Sequence, residues 1–435
     1  MVVSVVFLMG LDCFAQRDQP DAQPKDEKWS VHAQATSIGQ AHDSFYAPYS
    51  GKNSLDPHSE AKASLTATIF LGLRVRKGLE LYVNPEIAGG EGFSGVLGMA
   101  GFPNGEITRV NSPTPKPYLA RAFIKQTWGS GNSEDPIAGG PNQLAGRQPV
   151  SRFTITFGKF AVTDFFDDNA YSHDPRTQFM NWSIMYNGAY DSPADTRGYT
   201  WGGVMEIEKR RWAFRMGSFL VSTYANGLPL DRHFRRNNGE VAEFDLKHSL
   251  RGEPGKVRFL AYVNHANMGT YRSALEQHPQ NPDITQTRRS DTAKYGLGLN
   301  LEQALNSDVG AFLRAGWDDG KTETWEFTEI DRTLSGGLQI LGQRWRRAED
   351  VIGVAGVRNG ISRDHREYLA AGGYDFNIGD GELNYSSERI LEAYYAYKLQ
   401  KMITLTLDYQ FAGNPAYNKD RGPVSILALR LHWEL

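Results

Sequence analysis

Most of the chain alternates apolar and polar residues with a period of two, the pattern of β-strands that bury one face. In the run 62–75, for example, Leu65, Ile69 and Leu73 share one face, and Thr66 lies on the other. The runs assigned as strands are 29–36, 62–75, 79–88, 118–128, 152–160, 199–208, 212–220, 240–249, 256–264, 292–302, 309–318, 332–342, 351–358, 387–399, 402–412 and 424–435. The pattern predicts an all-β fold.

The links between these runs alternate between short and long. Short links such as 76–78 and 209–211 are followed by long ones such as 221–239 and 265–291. Outer-membrane β-barrels have short periplasmic turns and long external loops. An even count of about 16 strands therefore predicts a closed transmembrane antiparallel β-barrel. The link 129–151 is long although it falls on the periplasmic side, and the pattern does not explain it.

One long segment, 161–198, does not alternate and is dense in Asp, Asn, Arg, His and aromatic residues. Asp174 followed by Pro175 predicts a helix start, because Asp can cap the first free N–H groups and Pro fits the first helical position. Phe179, Trp182 and Tyr186 follow at helical spacing. We predict that this segment, the central loop, is a long external loop that folds into the lumen and determines what passes.

The polar faces of the strands carry many charges. They include Glu86, Arg121, Lys125, Arg215, Glu243, Asp245, Arg258, Arg314, Glu392 and Asp408. One Arg or Lys facing lipid at mid-membrane would cost about 2–4 kcal/mol, so these faces must line a wet interior. A barrel of about 16 strands leaves an aqueous channel. Trp201 and Trp433 fall on the opposite face, where we expect aromatic residues of the membrane interface.

Composition and the N-terminus add three expectations. The chain has 435 residues and a formal net charge of -3, which gives no general attraction to nucleic acid. Residues 1–15 have the length and apolar character of a signal peptide. We expect a signal peptide at 1–15, a short periplasmic tail at 16–28 and the barrel domain at 29–435. Cys13 is the only cysteine, so the mature chain would have no disulfide and no cysteine-ligated metal.

Several segments carry a family resemblance. They are PYSGKNSL (48–55), NPEIAGG (84–90), AGFPNGE (100–106), SPTPKPYLARAF (112–123), DFFDDNAYSHDPRTQFMNW (164–182), PADTRGYTWG (193–202), ANGLPLD (225–231), LEAYYAYKL (391–399) and NPAYNKDRGPVS (414–425). In these the chain resembles the carbohydrate-selective porins (OprB-like). The resemblance implies a barrel in the outer membrane of a Gram-negative type bacterium, passing mono- and oligosaccharides passively. Its partners would be sugars and outer-membrane lipid, as a monomer or a homo-oligomer.

Sugars are neutral polyols with flat apolar faces, so a selective channel needs aromatic rings for stacking and polar groups for paired hydrogen bonds. The residues expected at the constriction and in contact with substrate are Glu86, Arg121, Lys125, Asp167, Asp168, Asn169, His173, Arg176, Trp182 and Arg197. For Asp168 and Arg176 a purely structural role in tying the loop is an equal alternative, and for Asp174 it is the favoured one.

As alternatives, the chain would act as a general small-solute porin, a barrel hydrolase or a surface anchor. Ser172, His173 and Asp174 are catalytic-triad residue types, but neighbours in sequence cannot form the required geometry. We therefore expect no enzyme. The acidic pair Asp167 and Asp168 lacks a calcium-loop signature, so no metal or other cofactor is expected.

Overall fold

The computed structural model describes residues 26–110, 112–327 and 329–435, so the predicted signal peptide and residues 16–25 of the tail lie outside the described residues. Within these ranges sixteen strands form one closed antiparallel barrel, in which β1 pairs with β16. The strands are β1 Trp29–His42, β2 Glu60–Arg76, β3 Leu79–Gly90, β4 Lys116–Ile137, β5 Gly146–Phe160, β6 Thr200–Glu208, β7 Trp212–Phe219, β8 Asn238–Leu250, β9 Glu253–Met268, β10 Arg289–Ala304, β11 Val309–Asp318, β12 Arg332–Gly342, β13 Arg347–Gly360, β14 Glu388–Gln400, β15 Ile403–Gly413 and β16 Val424–Glu434. The predicted fold class is confirmed.

The two faces of the strands differ as the alternation predicts. In β2, Leu65, Ile69 and Leu73 are exposed on the outside, whereas Thr66 is buried on the inside. Arg314 of β11 is fully buried on the inner face. Closing the ring pairs the edge strands and so satisfies their backbone groups, as a lipid surrounding requires.

The links define two ends of the barrel. Seven short links, 77–78, 138–145, 209–211, 251–252, 305–308, 343–346 and 401–402, form the short-link end, and longer links form the opposite, long-link end. The helices α1 Trp182–Met185, α2 Tyr271–Gln277 and α3 Arg363–Ala370 lie in long links. Short 3-10 segments are Phe93–Gly95, Gly105–Arg109, Val162–Asp164, Ile284–Thr287, Gln343–Trp345 and Pro415–Tyr417. None of the helices in the described ranges has the length and apolar character needed to cross a bilayer.

The link 129–151 is a correction to the sequence analysis, because most of it is strand. β4 continues to Ile137 and β5 begins at Gly146, and these two residues are paired across the hairpin. Most residues of β4 beyond Trp128 are exposed. Because neither face of this hairpin is buried, it has no apolar–polar alternation for a sequence pattern to detect.

The helix predicted to start at Asp174 is a second correction. The carbonyl of Asp174 accepts from the N–H of Gln178 at 2.8 Å, but the helix does not continue. Instead the four-residue helix α1 begins after Asn181. The reason is a tertiary contact: the N–H groups of Met180 and Asn181 donate to the Glu392 carboxylate of β14 at 2.5 and 3.1 Å.

Candidate functional site

Inward-facing arginines hold the backbone of the central loop. Arg314 of β11 donates to Asp167 Oδ1 at 3.1 Å and to the carbonyl of Ser172 at 2.6 Å. Arg430 of β16 donates to the carbonyl of Pro175 at 2.7 Å. Both guanidinium groups are fully buried, and they satisfy carbonyls that would be costly to leave unpaired away from water.

Inward-facing carboxylates bind N–H groups of the same loop. Glu243 of β8 accepts from the N–H of Asp167 at 2.8 Å. Glu302 of β10 accepts from the N–H of Ala170 at 2.8 Å. Together with the contacts from β11, β14 and β16, these anchors come from different sides of one closed ring. We infer that the central loop crosses the inside of the barrel.

Two residues expected to contact sugar, Glu86 and Arg176, bind each other. Their Oε2 and Nη2 atoms lie 3.1 Å apart, and Arg176 also donates to Glu106 at 2.7 Å. Glu86 accepts further hydrogen bonds from the hydroxyls of Tyr199 at 3.0 Å and Thr68 at 2.5 Å. Burial opposes the charge of Arg176, but Glu106 and Glu86 outweigh it and raise its pKa. This pair fastens the central loop to β3.

Three other predicted contact residues are also buried. Asp167 has a φ of 59° and binds Arg314. The side-chain amide of Asn169 donates to Asn300 of β10 at 2.7 Å. The ring of Trp182 stacks on Phe102 with centroids 5.3 Å apart and is 6% exposed. These contacts favour a role in fixing the shape of the loop.

Two predicted residues form ion pairs in which the carboxylate is partly exposed and the arginine is buried. The side chain of Asp168 is 52% exposed and lies 3.3 Å from Nη2 of Arg258 in β9. Arg121 of β4 makes a bidentate pair with Asp164, with distances of 2.7 and 2.6 Å. The side chain of Asp164 is 27% exposed. Asp164 was not among the expected site residues. Its ion pair with Arg121, which the sequence does not show, is what distinguishes it from the other acidic residues of the loop.

The remaining predicted residues are partly exposed. Lys125 Nζ lies 3.4 Å from a carboxylate oxygen of Glu80 in β3. The Arg197 guanidinium lies over the Tyr118 ring, 4.2 Å from its centroid. His173 meets the ring of Tyr186 edge-on at 5.1 Å. The structure therefore does not bring all ten predicted residues to one surface.

A set of ion pairs extends along the inner wall, and of its members the site prediction included only Arg121 and Lys125. This charged arc consists of Arg121, Lys125, Arg152, Glu206, Glu208, Arg215, Glu243, Asp245, Lys247, Lys256, Arg258 and Glu302, and it extends from β4 to β10. Arg215, for example, pairs with Asp245 at 2.8 Å. The alternation of residues along each strand places these side chains on the inner face. It does not show which of these charges bind the central loop and which face open space.

The central loop also packs on apolar side chains of the wall, on both sides of the barrel. Phe179 and Ile184 of the loop belong to a buried cluster with Phe312 of β11, Ile390 of β14 and Ile426 of β16. Phe166 and Tyr190 belong to another with Phe219 of β7 and Tyr262 of β9. Within the charged arc, Glu243, Asp245, Arg258 and Glu302 are therefore buried, and members such as Arg152, Glu206, Arg215 and Lys247 stay partly exposed.

Ser172, His173 and Asp174 do not form a catalytic arrangement. The buried Ser172 hydroxyl donates to the carbonyl of Ile184 at 2.8 Å, away from His173. A serine nucleophile requires a hydrogen bond to its base.

Comparison with known proteins gives one family and a set of similar folds. The family model described as "Carbohydrate-selective porin, OprB family" matches residues 53–435. The solved structure "High pH structure of Pseudomonas putida OprB" has a TM-score of 0.71 at 14% identity, covering 94% of each chain. The outer membrane channel DcaP of Acinetobacter baumannii has a TM-score of 0.53 at 7% identity, covering 94% of this chain and 97% of that one. No curated protein matches the sequence.

Proposed function

The chain belongs to the carbohydrate-selective porin family, OprB, and on that premise we propose that it carries carbohydrates across the outer membrane by passive diffusion through its lumen. The family match extends over residues 53–435, and the barrel has the fold of the Pseudomonas putida OprB structure. In a porin of this kind the barrel supplies the pore, and the central loop and the charged arc determine what passes.

The outer surface supports placement in a membrane. Large apolar side chains such as Phe157, Leu391, Leu407 and Leu427 are more than 60% exposed on the outward face of their strands. A soluble protein rarely exposes apolar side chains so continuously. This apolar outer surface suits contact with outer-membrane lipid. The long-link end would face the outside of the cell, because outer-membrane barrels have their long loops there.

The observation that carries the proposal is the charged arc. Its partly exposed arginines and lysines, such as Arg152, Arg215 and Lys247, offer donors, and its partly exposed carboxylate Glu206 offers acceptors, at short intervals along neighbouring strands. A sugar hydroxyl both donates and accepts, so such a wall can exchange hydrogen bonds with a sugar as it moves. Because the two signs of charge alternate, the wall favours neutral polyols over ions of one sign.

Current through single channels in a planar bilayer tests this proposal. We expect a stable ion conductance that a panel of mono- and oligosaccharides reduces in a concentration-dependent way. Arg215→Gln should weaken this block, because Arg215 bridges four carboxylates of the arc. Arg235→Gln, an exposed residue in the link after β7, serves as the matched control. A chain that folds but conducts no ions would favour a surface anchor, and ester hydrolysis by the purified protein would favour an enzyme.

A further inference from the structure

A buried group of metal-ligating side chains joins two long links at the long-link end. Glu329 lies in the link after β11, and His365 and Asp375 lie in the link after β13. Each offers one ligand atom, and these atoms all lie within 4.8 Å of one another. Glu329 and His365 are 0% exposed and Asp375 is 6% exposed. None of the three belongs to the charged arc.

Glu329 gives a second, independent sign of a ligand. Neither of its oxygens meets a donor in full hydrogen-bonding geometry, although the Thr324 hydroxyl is close enough to favour the charged form. A buried carboxylate without hydrogen bonds is costly. Burial and the charge of Asp375 accordingly raise the pKa of the Glu329 carboxyl well above its ordinary value. One oxygen of Asp375 also has no partner.

His365 is oriented as a metal-binding histidine is. Its Nδ1 lies 3.1 Å from Asp331 Oδ2, and Asp331 is itself held by the N–H of Ser362 at 2.6 Å. Nε2 therefore points to the other side, where it lies in direct hydrogen-bonding contact with Asp375 Oδ2 at 2.6 Å. Two ligand atoms of one zinc ion lie about 3 Å apart, so an ion held by both atoms requires them to separate slightly. A carboxylate on the far nitrogen is the usual support of a metal-ligating imidazole, because it fixes the tautomer and the ring orientation.

We propose that Glu329, the Nε2 atom of His365 and Asp375 bind a divalent transition-metal ion, for which zinc is the best fit. One imidazole and two carboxylates suit zinc, whereas calcium prefers oxygen ligands only. Three protein ligands leave a position for water. A cavity of about 530 Å³ borders the site and is lined by Glu329, Asp375 and Tyr368 among others, so water can occupy that position.

The ion would fasten the mouth of the barrel. It would tie the link 319–331 to the link 361–387, and the first of these carries Phe327, whose ring lies 4.8 Å from that of Trp182 in the central loop. Fixing the position of Glu329 would therefore also restrain Phe327, against which Trp182 of α1 packs.

Metal titration of the purified barrel tests the proposal. The protein is made without a polyhistidine tag and is dialysed against EDTA before the titration. We expect one zinc ion bound per chain, and cobalt bound at the same site with a visible absorption spectrum. Glu329→Gln and Asp375→Asn should each weaken zinc binding at least tenfold. Asp331→Asn should weaken it about 10–100-fold through the orientation of His365. Glu382→Gln and His278→Asn, both exposed in long links, should leave binding unchanged.

Two results would overturn the site. One is a folded wild-type barrel that binds neither zinc, cobalt nor manganese stoichiometrically, in which case His365 is a protonated imidazolium shared by Asp331 and Asp375. The other is zinc binding that Glu329→Gln leaves unchanged. Heat-dependent migration on a gel checks the folding of each variant, and the wild-type titration decides even if a variant fails to fold. Neither result bears on sugar conduction, which is measured separately.

Discussion

At the scale of single residues, burial separates loop anchors from groups that face the lumen. The neighbours Asp167 and Asp168 show this contrast. Asp167 is 3% exposed and binds Arg314, which is itself fully buried. Asp168 has a side chain that is 52% exposed beside Arg258. The first should act on stability and the second on the passage of solutes.

We predict that Asp167→Ala lowers the free energy of unfolding by about 3–5 kcal/mol, because it leaves the buried Arg314 charge without its carboxylate. Asp168→Ala should lower it by less than about 1 kcal/mol, because the Asp168 side chain is half exposed and Arg258 keeps its ion pair with Glu302. Urea unfolding in detergent micelles, followed by tryptophan fluorescence, measures both. Equal losses of stability would show that burial does not distinguish the two.

A second prediction concerns ion selectivity. Arg121 and Lys125 pair with Asp164 and Glu80, so replacing both cations by Ala removes two positive charges and leaves Asp164 without its cation and Glu80 with Arg74 alone. We expect the ratio of cation to anion permeability to rise. Reversal potentials in a salt gradient measure this ratio, and Lys419→Ala in an exposed long link is the control. An unchanged ratio would mean that neither cation faces the conducting path.

At the scale of elements, the β4–β5 hairpin extends the barrel without being part of its closure. Replacing 131–148 by a two-residue turn should leave folding, heat stability and conductance unchanged, because the remaining strands still close the ring. Heat-dependent gel migration and single-channel recording check this. Loss of folding would show instead that the hairpin, with its contact from the N–H of Glu27 to the carbonyl of Ala145, is needed for assembly.

The strands were predictable because lipid outside and polar groups inside impose a period of two on every membrane-spanning segment. The least regular run, 351–358, has a physical explanation. Its inward positions are Gly353, Ala355 and Val357. An added Cβ at Gly353 would lie 2.2 Å from the Tyr394 ring, and Ala355 and Val357 belong to the buried cluster of Phe179, so this face lacks the polar side chains that mark other strands. The predicted helix start at Asp174 was wrong, because the hydrogen bond from the N–H of Met180 to Glu392, a residue distant in the sequence, determines the local backbone.

At the scale of the whole molecule, the sequence predicts the fold and which charged side chains point into the barrel. It does not predict which of the site residues lie together. Glu86 and Arg176 both have the residue types that bind sugars, yet they bind each other. Whether a charge is an anchor or faces water depends on where along the wall the central loop packs. That choice rests on apolar contacts such as Phe179 with Phe312, which join residues far apart in the sequence.

We predict that the central loop, which contacts such as Arg314 with Asp167 anchor to the inner wall, limits what passes through the lumen. Single-channel recording tests this prediction with a deletion of 168–190, and a shorter deletion of 224–236 in another long link serves as the control. The barrel should still insert, because its closure depends on the strands and the freed wall charges become hydrated. We predict a larger conductance and loss of sugar block for the first deletion only. Conductance and sugar block that both survive the deletion of 168–190 would contradict the account.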